Sequence, residues 1–197
     1  MGIIGKKLRR LNGRTSGRDE GQSNQHGSAL IVLTAPMSVQ TAMQPDSGSA
    51  ICDGLALYHD ASDGIYFWRQ TEKNNLQLTV YQFGGTYLSL AIGMDEDHVI
   101  KMRHAGRLSV QIHAICSRAI TAFLRLNVQI DGRQEQMHQT LIFHKGERTS
   151  NFDLDGLPGE FGPIENAWLD LIFIDPQMVE ITLSSLRLGK TAPDYQN

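Results

Sequence analysis

The sequence predicts an all-β protein: one antiparallel, jelly-roll-like β-sandwich with a single short helix, after a basic head. Three observations predict it. Apolar residues alternate with polar ones in segment after segment, the period of a half-buried strand. Glycine, Asp-Gly and Asp-Pro signals separate those segments. Strands alternating with long helices are missing, which argues against a doubly wound fold. The chain has 197 residues, 41% hydrophobic and 20% charged, enough for one domain with a substantial core.

The elements follow in order. Residues 1–28 read as a flexible basic head. Six of the eighteen Lys and Arg residues fall within residues 1–18, with no acid among them, so the rest of the chain is acidic. Ile3, Ile4, Leu8 and Leu11 fit one face of a short amphipathic helix, suited to peripheral contact with an anionic membrane surface. The alternative is a solvated, disordered end. The apolar run Ala29–Ala35 reads as a first strand, opening a sandwich domain over residues 29–190. As a signal-peptide core it is short and badly placed, so a cytoplasmic location is expected, with secretion or surface display as the minority alternative.

Leu76, Leu78 and Val80 alternate with Gln77, Thr79 and Tyr81. Gly84-Gly85 then reads as a two-residue hairpin turn, with Tyr87–Ile92 returning beside the first strand. Asp95 is a fitting N-cap for a helix reaching Met102. Leu108, Val110, Ile112 and Ala114 mark one strand; Leu124, Leu126, Val128 and Ile130 mark another. Asp131-Gly132 is a strong hairpin signal, leading to a strand around Gln136–His144. Leu169, Leu171 and Phe173 share a face, Asp175-Pro176 ends the run, and Val179 begins a last strand reaching Leu188. Residues 191–197 are a tail.

Much catalytic chemistry lacks its residues. Gly189-Lys190-Thr191 lacks the first glycine of a phosphate loop and the helix after it. No nucleophile elbow and no His-Glu-x-x-His appears. On one strand, His138 and His144 would stand ~20 Å apart, too far to share a metal. Asn151, Asp153 and Asp155 open like a calcium loop, but Gly162 stands where the closing Glu belongs. Asp153 and Asp155 are thus a weak candidate for a structural calcium, no cofactor is expected, and acidic turn residues leaving a strand explain the run without a metal. Asp60, Asp63, Asp153, Asp170 and Glu180 supply acids for a glycoside-active enzyme only if two converge. Cys52 and Cys116 read as free thiols. A net charge of -3 argues against nucleic acid as a partner.

The polar strand faces are more informative. If Leu124, Leu126 and Val128 point inward, Arg125 and Asn127 point outward. Gln111 and His113 do the same on another strand, and Trp168 and Asp170 on a third. A guanidinium, amides, an imidazole, a carboxylate and an indole together suit a sugar: planar donors and acceptors for hydroxyls, an aromatic face for the ring. The plain alternative is a solvated sheet face.

Tyr58-His59-Asp60, the run from Val80 to Leu90, Phe123–Asn127, Glu135-Gln136 and Trp168–Phe173 occur in this order. On these segments the chain resembles an uncharacterised domain family of Rhodobacter-like alphaproteobacteria, over about residues 52–190. The resemblance implies no activity; members carry a longer, Arg-rich head. The strand pattern is similar to jelly rolls of carbohydrate-binding modules and galactose-binding-like domains, some with structural calcium. The expectation is a non-catalytic binding module for a glycan or similar polar ligand on a concave sheet face. The alternatives are a structural protein docking a protein partner or membrane surface, and a glycoside-active enzyme.

Overall fold

The computed structural model describes residues 42–71, 75–103, 106–156 and 164–190. The expected basic head, the strand Ala29–Ala35 and the tail lie outside the described residues. Among the described residues ten strands and one α-helix follow in order: β1 (Ala42–Met43), β2 (Ser49–Cys52), β3 (Leu55–His59), β4 (Gly64–Gln70), β5 (Leu76–Phe83), β6 (Tyr87–Gly93), α1 (Glu96–Arg103), β7 (Arg107–Ile130), β8 (Arg133–Asp153), β9 (Ile164–Ile174) and β10 (Val179–Lys190). The helix starts where expected: Asp95 Oδ1 accepts from the His98 backbone N–H at 2.8 Å.

All pairing is antiparallel, in the order β1-β4-β5-β10-β7-β9-β6-β3-β2, with β8 on the other side of β7. The two segments read as separate strands at Leu108 and Leu124 are one strand, β7, 24 residues long. Its first half pairs with β10 and its second half with β9. β8 follows it through both halves, with an irregularity between Ile115 and Ile120. The sheet therefore curls into two arms: β1, β4, β5, β10 with the start of β7, and β2, β3, β6, β9 with its end. Two contacts show the arms closing on each other. Gln139 Nε2 reaches the Asn151 carbonyl at 3.4 Å, twelve residues along the same strand. The His59 ring of β3 meets Tyr66 of β4 and Phe83 of β5 edge-on.

The core is the set of inward positions from both arms, among them Leu78, Leu90, Val110, Ile112, Leu124, Leu126, Leu171, Phe173 and Ile181. The result is an all-β sandwich with one short helix, as the alternation predicts.

The expected hairpin at Gly84-Gly85 is not formed. β5 pairs with β4 and β10, whereas β6 pairs with β3 and β9, so these glycines carry the chain from one arm to the other. Their smallness serves packing, not dihedral freedom. A Cβ at Gly84 would fall 1.6 Å from Asp63 Oδ1, and one at Gly85 would fall 2.7 Å from the Ala61 nitrogen. Asp131-Gly132 does close a hairpin, with φ of 49° and 71°, the left-handed pair that a two-residue turn needs.

Candidate functional site

On the second arm the parity of β7 is as expected. Leu124, Leu126 and Val128 are fully buried, and Arg125 and Asn127 face outward. Register then assembles the site. Arg125 pairs with Asp170 on β9 and His138 on β8; Asn127 pairs with Trp168 and Gln136. Asp170 Oδ2 accepts from Arg125 Nε at 3.0 Å, Arg125 Nη2 at 2.7 Å and Asn127 Nδ2 at 2.9 Å. Asn127 Oδ1 accepts from Gln136 Nε2 at 2.9 Å and Gln134 Nε2 at 3.2 Å.

The burial is unusual for an outer sheet face. Asn127 is 0% exposed and Asp170 5%, yet both stand on the side away from the core. Burying an ion pair and an amide is costly unless every group finds a partner, and here each does. Gln134, Gln136 and His138 form an exposed rim, Arg125 is half-buried above Asp170, and half-buried Trp168 flanks Asn127. Across β6 the next positions are Ala91, opposite Asp170, and Gly93, opposite Trp168, so no large side chain stands beyond the cluster on that strand.

Four of the six predicted residues therefore meet: Arg125, Asn127, Trp168 and Asp170. Gln111 and His113 do not join them. They lie on the first half of β7, in the other arm, where His113 Nδ1 stands 2.5 Å from Ser184 Oγ and Gln111 pairs with Arg187 and Thr149. Reading β7 as two strands concealed this separation. The residues missed are Gln134, Gln136 and His138. A signal for them existed, because closing the hairpin at Asp131-Gly132 puts Gln136 opposite Asn127 and His138 opposite Arg125.

Asp153 is exposed, and its Oδ1 accepts from the Asp155 backbone N–H at 3.2 Å, closing one short turn. Among the described residues no group of three or more His, Cys, Asp or Glu is placed to hold a metal ion. Gly162, at the closing position of the proposed calcium loop, lies outside the described residues. Cys52 and Cys116 are free thiols, and burial pushes the Cys116 thiol up to about 11.

A second polar feature is a cleft of about 430 Å³ lined by Asp46, His59, Asp60, Asp63 and Tyr66, among others. Its side chains largely serve the fold. His59 Nε2 is 2.8 Å from the Pro45 carbonyl and 3.1 Å from Tyr66 Oη. Asp60 accepts from Thr86 Oγ1 at 2.5 Å and from the Thr86 and Tyr87 N–H groups at 2.7 and 3.1 Å. Those bonds, the Thr86 hydroxyl first, hold the Asp60 carboxyl below its ordinary range.

Comparison with curated proteins found no match. Among solved structures, the family 11 carbohydrate-binding module of Clostridium thermocellum, in complex with a beta-1,3-1,4-mixed-linked tetrasaccharide, is 8% identical, covering 78% of this chain and 98% of that one, with a TM-score of 0.45. The xyloglucanase domain of NopAA, a type three effector from Sinorhizobium fredii, in complex with cellobiose, is 9% identical, covering 79% and 100%, with a TM-score of 0.49. The CBM22-1 xylan-binding domain of Paenibacillus barcinonensis Xyn10C is 8% identical, covering 86% and 100%, with a TM-score of 0.42. A family model matches residues 21–192, and the chain belongs to that family, described as a family of unknown function (DUF6478).

Proposed function

We propose that this protein is a non-catalytic binding module for a glycan or similarly polyhydroxylated ligand, held on the outer face of the second arm. One observation carries the reading: the Arg125–Asp170–Asn127 network, buried on a face that does not need it for a core. The network fixes Arg125 in place and orients the Gln134 and Gln136 amides, which have further hydrogen-bonding capacity for hydroxyls. Trp168 beside it offers an indole for the apolar face of a sugar ring. Asp170 is committed to three donors, which suits a positioning role and not that of a catalytic acid.

The test is binding to a glycan array and to soluble oligosaccharides, with Trp168→Ala and Arg125→Ala as controls. Binding should fall at least roughly tenfold in each variant, the loss of one aromatic or charged contact. No binding to any glycan, or binding that neither change touches, overturns the proposal. A second reading, docking of a protein, draws on exposed apolar residues of the same face: Phe123 at 38% and Ile142 at 60%.

A further inference from the structure

The face that carries the polar cluster divides into two halves. Residues in register across β8, β7, β9 and β6 form rows of side chains on that face, each row ~7 Å from the next. One half holds the rows Gln136–Asn127–Trp168 and His138–Arg125–Asp170. In the other half Phe123 pairs with Thr140 and Ile172, and Ile172 with Ser89. One step further, Thr121 pairs with Ile142, and Ile174 with Tyr87. None of these residues is charged. Phe123, Ile142 and Tyr87 are exposed, and Ile172 and Ile174 are half-buried. A branched aliphatic side chain has no flat face for a sugar ring, unlike an indole. It gains instead when hydrocarbon leaves water against it. Four strands make each row ~14 Å long, so the apolar half covers roughly 200 Å² and the five rows of the face roughly 500 Å². A stable protein interface needs about 800 Å² from each partner. The apolar half therefore suits a single hydrocarbon chain.

We infer that the ligand is amphiphilic: a glycan carrying a hydrocarbon chain, its sugar on the Arg125–Asp170–Asn127 cluster and Trp168, the first part of its chain along Phe123, Ile172, Ile174 and Ile142. The inference rests on the glycan reading and adds the chemical class of the ligand. Continuity of the two halves identifies the occupant. Arg125 and Phe123 are successive outward positions of β7, and Asp170 and Ile172 successive outward positions of β9. Sugar and chain of one molecule thus meet the two halves across a single step of ~7 Å. The Arg125 charge is neutralised by Asp170, so the boundary between the halves carries no net charge to repel hydrocarbon.

The experiment is isothermal titration of the full chain with methyl, hexyl and octyl glycosides of glucose, galactose, N-acetylglucosamine and maltose, each below its critical micelle concentration. For at least one sugar, affinity should rise with chain length, the octyl glycoside binding at least roughly tenfold more tightly than the methyl. The gain should carry a negative heat-capacity change, the mark of apolar surface leaving water. Phe123→Thr and Ile142→Thr keep a strand-forming residue at exposed positions. Each should reduce the gain from chain length, and leave the methyl glycoside affinity and the circular dichroism spectrum unchanged. Trp168→Ala should weaken the whole series alike. Octyl glycosides that bind no better than methyl ones overturn the inference, keep the glycan reading, and leave the apolar half to a protein partner. Octyl glycosides that bind whatever their sugar, untouched by Trp168→Ala, overturn the glycan reading and this inference with it. A chain-length gain indifferent to Phe123→Thr and Ile142→Thr overturns the inference, as does a failure of every octyl glycoside to bind.

Discussion

Asp60 shows how a single carboxylate organises a crossover. Its three bonds to Thr86 and Tyr87 tie the loop after β3 to the chain passing from β5 to β6. Its folded value lies below the unfolded one, so its contribution is present above about pH 4 and lost as pH falls through the folded value. Asp60→Asn should therefore lower stability near pH 7, while wild type and variant converge at an acid pH below the folded value. Urea denaturation at the two pH values measures this; an equal difference at both would remove the carboxylate from the account. The site's residues were unequally legible. Arg125 and Asn127 followed from strand parity, because Leu124, Leu126 and Val128 leave one way to turn. The near-complete burial of Asn127 was not legible, since it depends on Gln134 and Gln136 arriving from another strand. Tyr58-His59-Asp60, one of the segments that carried the family resemblance, includes a buried histidine and a loop clamp.

At the scale of elements, the crossover after β5 makes the sharpest demand on the chain. A Cβ at Gly85 would meet backbone, 2.7 Å from the Ala61 nitrogen and 2.9 Å from its Cα. The worst contact at Gly84 is the Asp63 carboxylate, the end of a side chain that can turn away. Gly85→Ala should cost about 1–3 kcal/mol, in the range of overpacking, and Gly84→Ala distinctly less. Thermal melts of the two variants decide it, and equal losses would refute the distinction. The same crossover explains the failed hairpin expectation. A Gly-Gly between two alternating runs signals a change of direction, but nothing local says whether the next strand returns beside its predecessor or crosses to the facing layer. Asp131-Gly132 gave the right answer because residues 131 and 132 both take left-handed dihedrals, which a tight two-residue return requires.

For the whole molecule, β7 decides how the arms share stability. It pairs with β10 along its first half and β9 along its second, and one core cluster runs through both arms. The arms should open as a single cooperative unit. Native-state hydrogen exchange should give backbone amides of β5 and β6 the same largest opening free energy, although those strands sit in different arms. Separate values, with one arm exchanging well before the other, would show two independent layers. The all-β class was legible because alternation is local; the arm to which each strand belongs was not, because it depends on pairings between distant segments. Those pairings also bear on synthesis. β5 gains its second neighbour only when β10 exists, and β6 only when β9 does. A chain emerging from the ribosome therefore carries half-built layers until nearly all of it has been translated, and for that interval its exposed strands depend on chaperones or speed to escape aggregation.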